Sequence, residues 1–162
     1  MNWVILMKLL KKLLAATLII TCLFTTGCTS IDLLHKTKPC AFYYTNCLLK
    51  SFHTEKNVKA SLIDTSYYKN HDLTLDEINQ TMDFLNKLSK NNFIKKPTNL
   101  PSKPLYRMFY SFSNAKYVID VFNKDYISIY PWDGDFEKDY LNISNIPASC
   151  NLYNLCEYAI PR

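Results

Sequence analysis

The apolar positions of the chain form one unbroken run near its start and several short periodic stretches after it. Residues 7–28, MKLLKKLLAATLIITCLFTTGC, open with Lys8, Lys11 and Lys12, continue as an apolar run over 13–24, and reach Thr25, Thr26 and Gly27 just before Cys28. Cationic, then apolar, then small is the order of an export signal. The apolar length also approaches the roughly 18 to 20 residues that a membrane-spanning helix needs. Against that reading, the three lysines lie inside the segment, where each costs about 2.5 to 3.5 kcal/mol at a helix centre. Starting the signal at Met7 removes the conflict and leaves residues 1–6 as an upstream start or an extension.

Beyond Cys28, residues 29–39 carry no period and read as a polar tether. Residues 40–53, CAFYYTNCLLKSFH, fit neither the helical nor the strand period and predict a short helix or an irregular packing segment. Residues 58–65, VKASLIDT, alternate weakly and predict a first strand. The firmest element follows. Thr74 with Glu77 three residues later forms a capping box, and Leu75, Ile78, Met82, Leu85 and Leu88 recur as one apolar stripe, predicting a helix over 75–90. Asp76 and Glu77 at its start and Lys87 and Lys90 at its end suit the helix dipole. Burying that stripe would contribute up to about 10 kcal/mol, so the helix must lie on another layer.

That layer is predicted by what comes next. Pro97, Pro101 and Pro104 mark a linker, after which 105–112, 116–122 and 126–130 read as strands rich in β-branched and aromatic residues. Their separators, 113–115 and 123–125, are short enough for antiparallel hairpins. A further strand over 140–144 follows the turn 131–135. Pro147 then opens a closing helix through about residue 158, with Leu152, Leu155, Cys156 and Ala159 on one side. The chain is therefore expected to be α+β: a mostly antiparallel sheet of about four strands, one long amphipathic helix packed on it, and a short C-terminal helix. Its divisions are a signal over 1–27, a tether over 28–39 and a single domain over 40–162.

Two resemblances add an address. Residues 7–28 resemble a bacterial lipoprotein signal, although Thr25 stands where such signals usually carry Leu. The resemblance implies that Cys28 receives a diacylglyceryl group on its sulfur, that the chain is cut before it, and that the protein is lipid-anchored on the extracytoplasmic face of the cell membrane. The alternatives are an uncleaved membrane helix and a simple secreted protein. The capped helix, the proline-marked linker, the strands YRMFYSF, KYVIDVF and YISIY, and the tail YLNISNIPASCNLYNLCEYAIP resemble a small family of uncharacterised lipoproteins from Gram-positive anaerobes. That similarity covers 72–161 and implies the same address and a compact α+β fold. The family assigns no catalytic or binding residues that could be carried over.

Composition narrows the function further. Removing residues 1–27 from the 162-residue chain leaves 135, one domain's worth. Three of the 19 basic residues leave with the signal, so 16 remain against 14 acidic ones. A net charge of about +2 on an exported domain argues against a nucleic-acid partner. Export makes disulfides possible among Cys40, Cys47, Cys150 and Cys156; the other reading is ordinary buried thiols, and the spacings match no zinc motif. His35, His53 and His71 are too scattered for a shared site. No nucleophile elbow, glycine-rich phosphate loop or cofactor motif is present, so no catalytic residue and no cofactor is assigned.

Two stretches carry the remaining candidate chemistry. Asp133, Asp135, Glu137 and Asp139 alternate through WDGDFEKD, which reads as a solvated hairpin turn, as weak cation ligands, or as carboxylates of an extracytoplasmic hydrolase. On the strands, Tyr117, Ile119 and Val121 share one face while Val118, Asp120 and Phe122 share the other. Phe109, Phe122, Tyr126 and Tyr130 are expected on the face opposite the long helix. Residues 40–53 and the closing helix are expected to cover that face as a second core. Left uncovered, it would be an aromatic patch able to bind a peptide, a glycan or another envelope protein. The expectation is thus a non-enzymatic, membrane-anchored binding module, with the hydrolase and a purely structural spacer as alternatives.

Overall fold

The computed structural model describes residues 3, 7, 8, 11–14, 37–55 and 57–162, and the chain divides into two compact units, 1–36 and 37–162. In the first unit the described positions are helical. Cys28, His35 and most of the expected signal lie outside the described residues. Among the residues described, no helix is long and apolar enough to cross a membrane. The second unit holds three helices, α1 (Tyr43–Thr54), α2 (Leu75–Lys87) and α3 (Leu152–Ala159). Its strands are β1 (Lys59–Asp64), β2 (Asn70–Asp72), β3 (Phe93–Ile94), β4 (Tyr106–Ser111), β5 (Lys116–Val121), β6 (Tyr126–Pro131) and β7 (Asp139–Asn142).

All seven strands join one sheet in the order β2-β1-β4-β5-β6-β7-β3, and every pairing is antiparallel. The mostly antiparallel α+β expectation holds, but the count of about four strands does not. The edge strands β2 and β3 are three and two residues long, too short to show an alternation in sequence. Short edges also leave little unpaired backbone for another chain to extend.

The helix predicted over 75–90 is shorter than expected, thirteen residues ending at Lys87. Its capping box is formed: Glu77 Oε2 accepts from the Thr74 N–H at 2.7 Å, and the Glu77 N–H donates to Thr74 Oγ1 at 3.3 Å. Leu88 is already extended, and a second box, in which Ser89 donates to Asn92 Oδ1 at 2.9 Å, turns the chain into β3. The buried stripe is also rotated from the one predicted. Leu75 is exposed, whereas Thr81 and Phe84 are fully buried beside Ile78 and Leu85. Thr81 can be buried because its hydroxyl is 2.8 Å from that of Tyr110 on β4.

Residues 40–53 contain a full helix, α1, whose buried Tyr44, Leu48 and Phe52 recur every fourth residue. No residue beside it caps it. Asp139 of β7 does so, its Oδ2 accepting from the Thr45 N–H at 2.7 Å and from Thr45 Oγ1 at 2.8 Å, while Lys38 pairs with Oδ1 at 2.5 Å. Lys38 was expected in the tether, and it belongs instead to the folded unit. The closing helix begins late: Pro147 precedes a 3-10 turn, Ala148–Cys150, and Asn151 then caps α3 by accepting from the Tyr153 N–H at 2.9 Å.

One core results. Leu48 and Phe52 of α1, Ile78, Phe84 and Leu85 of α2, and Leu152, Leu155 and Cys156 of α3 cluster with Leu62, Tyr106, Met108, Tyr110, Tyr117, Ile119, Val121, Ile127, Ile129 and Leu141 of the sheet. The sheet residues in this cluster all lie on the same face by register. Phe52 anchors it edge-on, 5.3 Å from Tyr110 and 5.2 Å from Phe112 between ring centroids.

At one end of this core Asp64 is fully buried. Burial works to raise its pKa, but N–H donors from Tyr67 and Ser66 and the charge of Arg162, 2.9 Å away, outweigh it and hold the carboxyl below its ordinary value. A carboxylate depressed on folding stabilises above its unfolded pKa and loses that contribution as pH falls through its folded pKa. Arg162→Ala should therefore cost about 1 to 2 kcal/mol at neutral pH and progressively less as pH falls below the ordinary carboxylate range, as read by urea unfolding at neutral and acid pH. An equal loss at both would contradict the Asp64 pairing.

Candidate functional site

All three helices lie on one side of the sheet, and this overturns the expectation that α1 and α3 cover the other. The alternation of the strands places a second set of side chains there. Reading across β1, β4, β5 and β6, one row is Ser61, Phe109, Val118 and Tyr130. The adjacent row is Ile63, Arg107, Asp120, Ser128, Tyr140 and Ile94. Phe122 and Tyr126 fall on the same side by parity. Val118, Phe122 and Tyr140 are buried yet stand apart from the helix-side cluster. Their neighbours on the uncovered face are what shield them.

The middle of this face is polar and organised. Asp120, 1% exposed, accepts from Arg107 Nε at 2.6 Å through Oδ1 and from Lys138 Nζ at 3.0 Å through Oδ2. Lys138 also lies 3.7 Å from the centroid of the Tyr130 ring, a cation–π contact. Burial, together with the Asp120 charge, pushes the Tyr130 phenol up to about 12. The Arg107 pKa rises: desolvation works against its charge, and the hydrogen bond and charge of Asp120 overcome that. Beside Asp120 in the row, the Ser128 hydroxyl is fully buried with no hydrogen-bond partner among the described residues.

Aromatic rings flank this centre. Phe109 and Trp132 pack with centroids 6.0 Å apart, and Trp132 is 66% exposed. At the β1 end, the turn into β2 carries Tyr68, 79% exposed, at φ 54°. A bulky residue in the left-handed region costs of order 1–3 kcal/mol and persists only where its surroundings hold it.

Four of the sequence candidates, Phe109, Phe122, Tyr126 and Tyr130, thus share one face, Phe122 as a buried member and the others half-buried. The polar participants were missed. Arg107 and Asp120 are opposite charges at internal positions of strands that are otherwise apolar or aromatic, and Asp120 was already on the correct parity; that pairing was the available signal.

The other candidates are not brought together. Asp133, Asp135 and Glu137 are exposed along the loop before β7, and among the described residues no three His, Cys, Asp or Glu side chains form a cluster that could hold a metal ion. Tyr44 pins this loop, its hydroxyl accepting from the Phe136 N–H at 2.7 Å. A Cβ at Gly134 would come within 2.6 Å of that hydroxyl, so only glycine fits. Asp139 serves as the remote cap of α1. The cysteines among the described residues are free thiols: Cys156 buried in the core, Cys40 just before α1, Cys47 within α1, and Cys150 with its Sγ 2.6 Å from Lys87 Nζ, which lowers the thiol pKa. His71 bonds the carboxylate of Glu77 at 3.0 Å beside the α2 cap, and His53 is exposed on α1.

Comparison with known proteins places this arrangement. Residues 38–156 match the model of a domain of unknown function, DUF4883. The fold is similar to a crystal structure described as a putative lipoprotein from Clostridium perfringens, with a TM-score of 0.69 and 36% sequence identity over 78% of this chain and 100% of that one. No curated protein matches the chain.

The central charges give a stability test. Arg107→Met leaves Asp120 with Lys138 alone and should cost about 2 to 4 kcal/mol. Arg107→Met combined with Asp120→Leu should recover most of that loss in urea unfolding. Equal losses in single and double variants would contradict a coupled pair.

Proposed function

We propose a role for a chain that belongs to the DUF4883 family: a lipoprotein, held by a diacylglyceryl group on Cys28 at the extracytoplasmic face of the cell membrane, whose uncovered sheet face binds a glycan of the envelope. The anchor is supported by the order of charges and apolar residues over 7–28 and by the similarity to the clostridial structure described as a lipoprotein. The binding role is carried by one observation, a sheet face on which none of the three helices of this unit packs, where aromatic rings alternate with cations around a buried carboxylate.

A glycan fits this face better than a peptide or a protein. Peptides that join a sheet do so at an edge, where unpaired backbone groups are available, and the edge strands here are three and two residues long. A protein partner would want a contiguous apolar patch, whereas the middle of this face holds Arg107, Asp120 and Lys138. Sugar rings present apolar C–H faces that stack on exposed aromatics such as Trp132 and Tyr68, together with hydroxyls that the flanking polar side chains can bond.

Two measurements check the two halves. Metabolic labelling with palmitate should mark the native chain and fail to mark Cys28→Ala, which should leave the membrane fraction; label retained in the variant would sink the anchor. Trp132→Ala and Tyr130→Ala should each weaken sedimentation of the full chain with purified cell-wall glycan by about fivefold or more, the scale of one stacking contact. Unchanged sedimentation in both would sink the binding face.

A further inference from the structure

At the β1 end of the uncovered face, a cavity of about 270 Å³ opens between Ile63, Phe109 and Pro104 on its apolar side and Tyr68, Lys103 and Arg107 on its polar side. Its electrostatics are one-sided. No carboxylate is among its lining residues. Arg107 spends its Nε on Asp120, and the rest of the guanidinium has no hydrogen-bond partner among the described residues. Lys103 donates to the Thr65 carbonyl and stands 5.1 Å from the centroid of the Tyr68 ring, and it has no carboxylate partner among the described residues. Lys103, without a carboxylate partner among the described residues, and the unengaged terminal nitrogens of Arg107, whose charge is paired with Asp120, therefore line a half-apolar cavity. The ring of Tyr68 is presented there by the one non-glycine backbone in the left-handed region among the described residues.

We propose that this cavity holds the acidic group of an anionic sugar, a uronate carboxylate or a sugar phosphate. The inference rests on the reading of the uncovered face as a glycan-binding surface and names the class of glycan. A guanidinium with its terminal nitrogens unengaged can donate two parallel hydrogen bonds to two oxygens of one acidic group, and Lys103, on the same polar side, adds a second cation. Tyr68 and Phe109 flank the space that the ring would occupy. A neutral sugar would leave Lys103 without a counter-charge, so the cavity selects the acidic one. The Tyr68 conformation is what sets the ring beside Lys103, which gives the backbone strain a use.

The test is a titration of the full-length chain, in detergent, with four probes: an oligogalacturonate, a poly(glucose 1-phosphate), a neutral β-1,4-linked glucose oligosaccharide and poly-glutamate. At least one acidic glycan should bind ten times more tightly than the neutral one, with an affinity that falls as salt is raised. Binding of the galacturonate alone identifies a carboxylate as the ligand group, and binding of the glucose phosphate alone identifies a phosphate. Lys103→Gln should weaken the acidic probe about tenfold at unchanged thermal stability. Tyr68→Gly should weaken it similarly while melting no lower than the parent, because glycine adopts the left-handed backbone freely. Arg107→Gln is informative only beside these two, since it also disturbs Asp120. Equal binding of acidic and neutral glycans, insensitive to both variants, would overturn the acidic cavity and leave the glycan face standing. Poly-glutamate binding as tightly as the acidic glycans would overturn the sugar. Binding of no glycan would remove both readings.

Discussion

Side chains alternate across the two faces of a strand, so a seven-stranded sheet must bury or solvate two surfaces, and the three helices here all lie on one. That constraint organises the molecule. On the helix side, large side chains such as Tyr106, Met108, Tyr110, Ile119 and Ile129 are fully buried in a single core. Each such burial contributes about 1.5 to 3 kcal/mol. The polar groups admitted to that side are the ones that find partners: Thr81 on Tyr110, Asp139 on Thr45 and Lys38, Asp64 on Arg162. Removing a helix would expose the core, whereas the opposite face carries none of these three helices.

The uncovered face is stabilised in a different way. Its long polar side chains are positioned by Asp120. Arg107 and Lys138 converge on that carboxylate, and Lys138 reaches it across the Tyr130 ring. A buried ion pair contributes little net stability relative to an apolar replacement. Its presence at the centre of an otherwise aromatic surface is better accounted for by what it does to that surface. It fixes two cations beside exposed rings and keeps the face from being a flat apolar patch open to aggregation.

Much of this was legible in the sequence, to the extent that the determining interactions were local. The capping box at Thr74 and Glu77 involves residues three apart, and it is formed. The hairpins of β4, β5 and β6 have short separators and strong alternation, so the parity that put Asp120 and Phe122 together, and Tyr117 with Ile119 and Val121, follows directly from the pattern. What was illegible depends on distant partners. Helix α1 has no local start signal because its cap, Asp139, lies 94 residues further along the chain. The buried stripe of α2 includes a threonine that looks polar until Tyr110 is placed opposite it. Strands β2 and β3 are too short to carry a period. Which face α1 and α3 would take is a property of the packed molecule: their own amphipathicity requires an apolar surface and does not say which one. The site inherits the same division. Phe109, Phe122, Tyr126 and Tyr130 were found by alternation, whereas Trp132 and Tyr68, which lie in turns, were not, and Arg107, Asp120 and Lys138 became a unit only through cross-strand register.

The account stands on that face being open in solution and being the place where ligand sits. Hydroxyl-radical footprinting of the full-length chain, with and without cell-wall glycan, examines both at once. Trp132, Tyr68 and Phe109 should be oxidised readily in the free protein while Tyr106 and Tyr110 are spared, and glycan should protect the first three alone. Protection of Trp132 and Phe109 equal to that of Tyr110 in the free protein would show a covered face and contradict the account, as would glycan that leaves their oxidation unchanged.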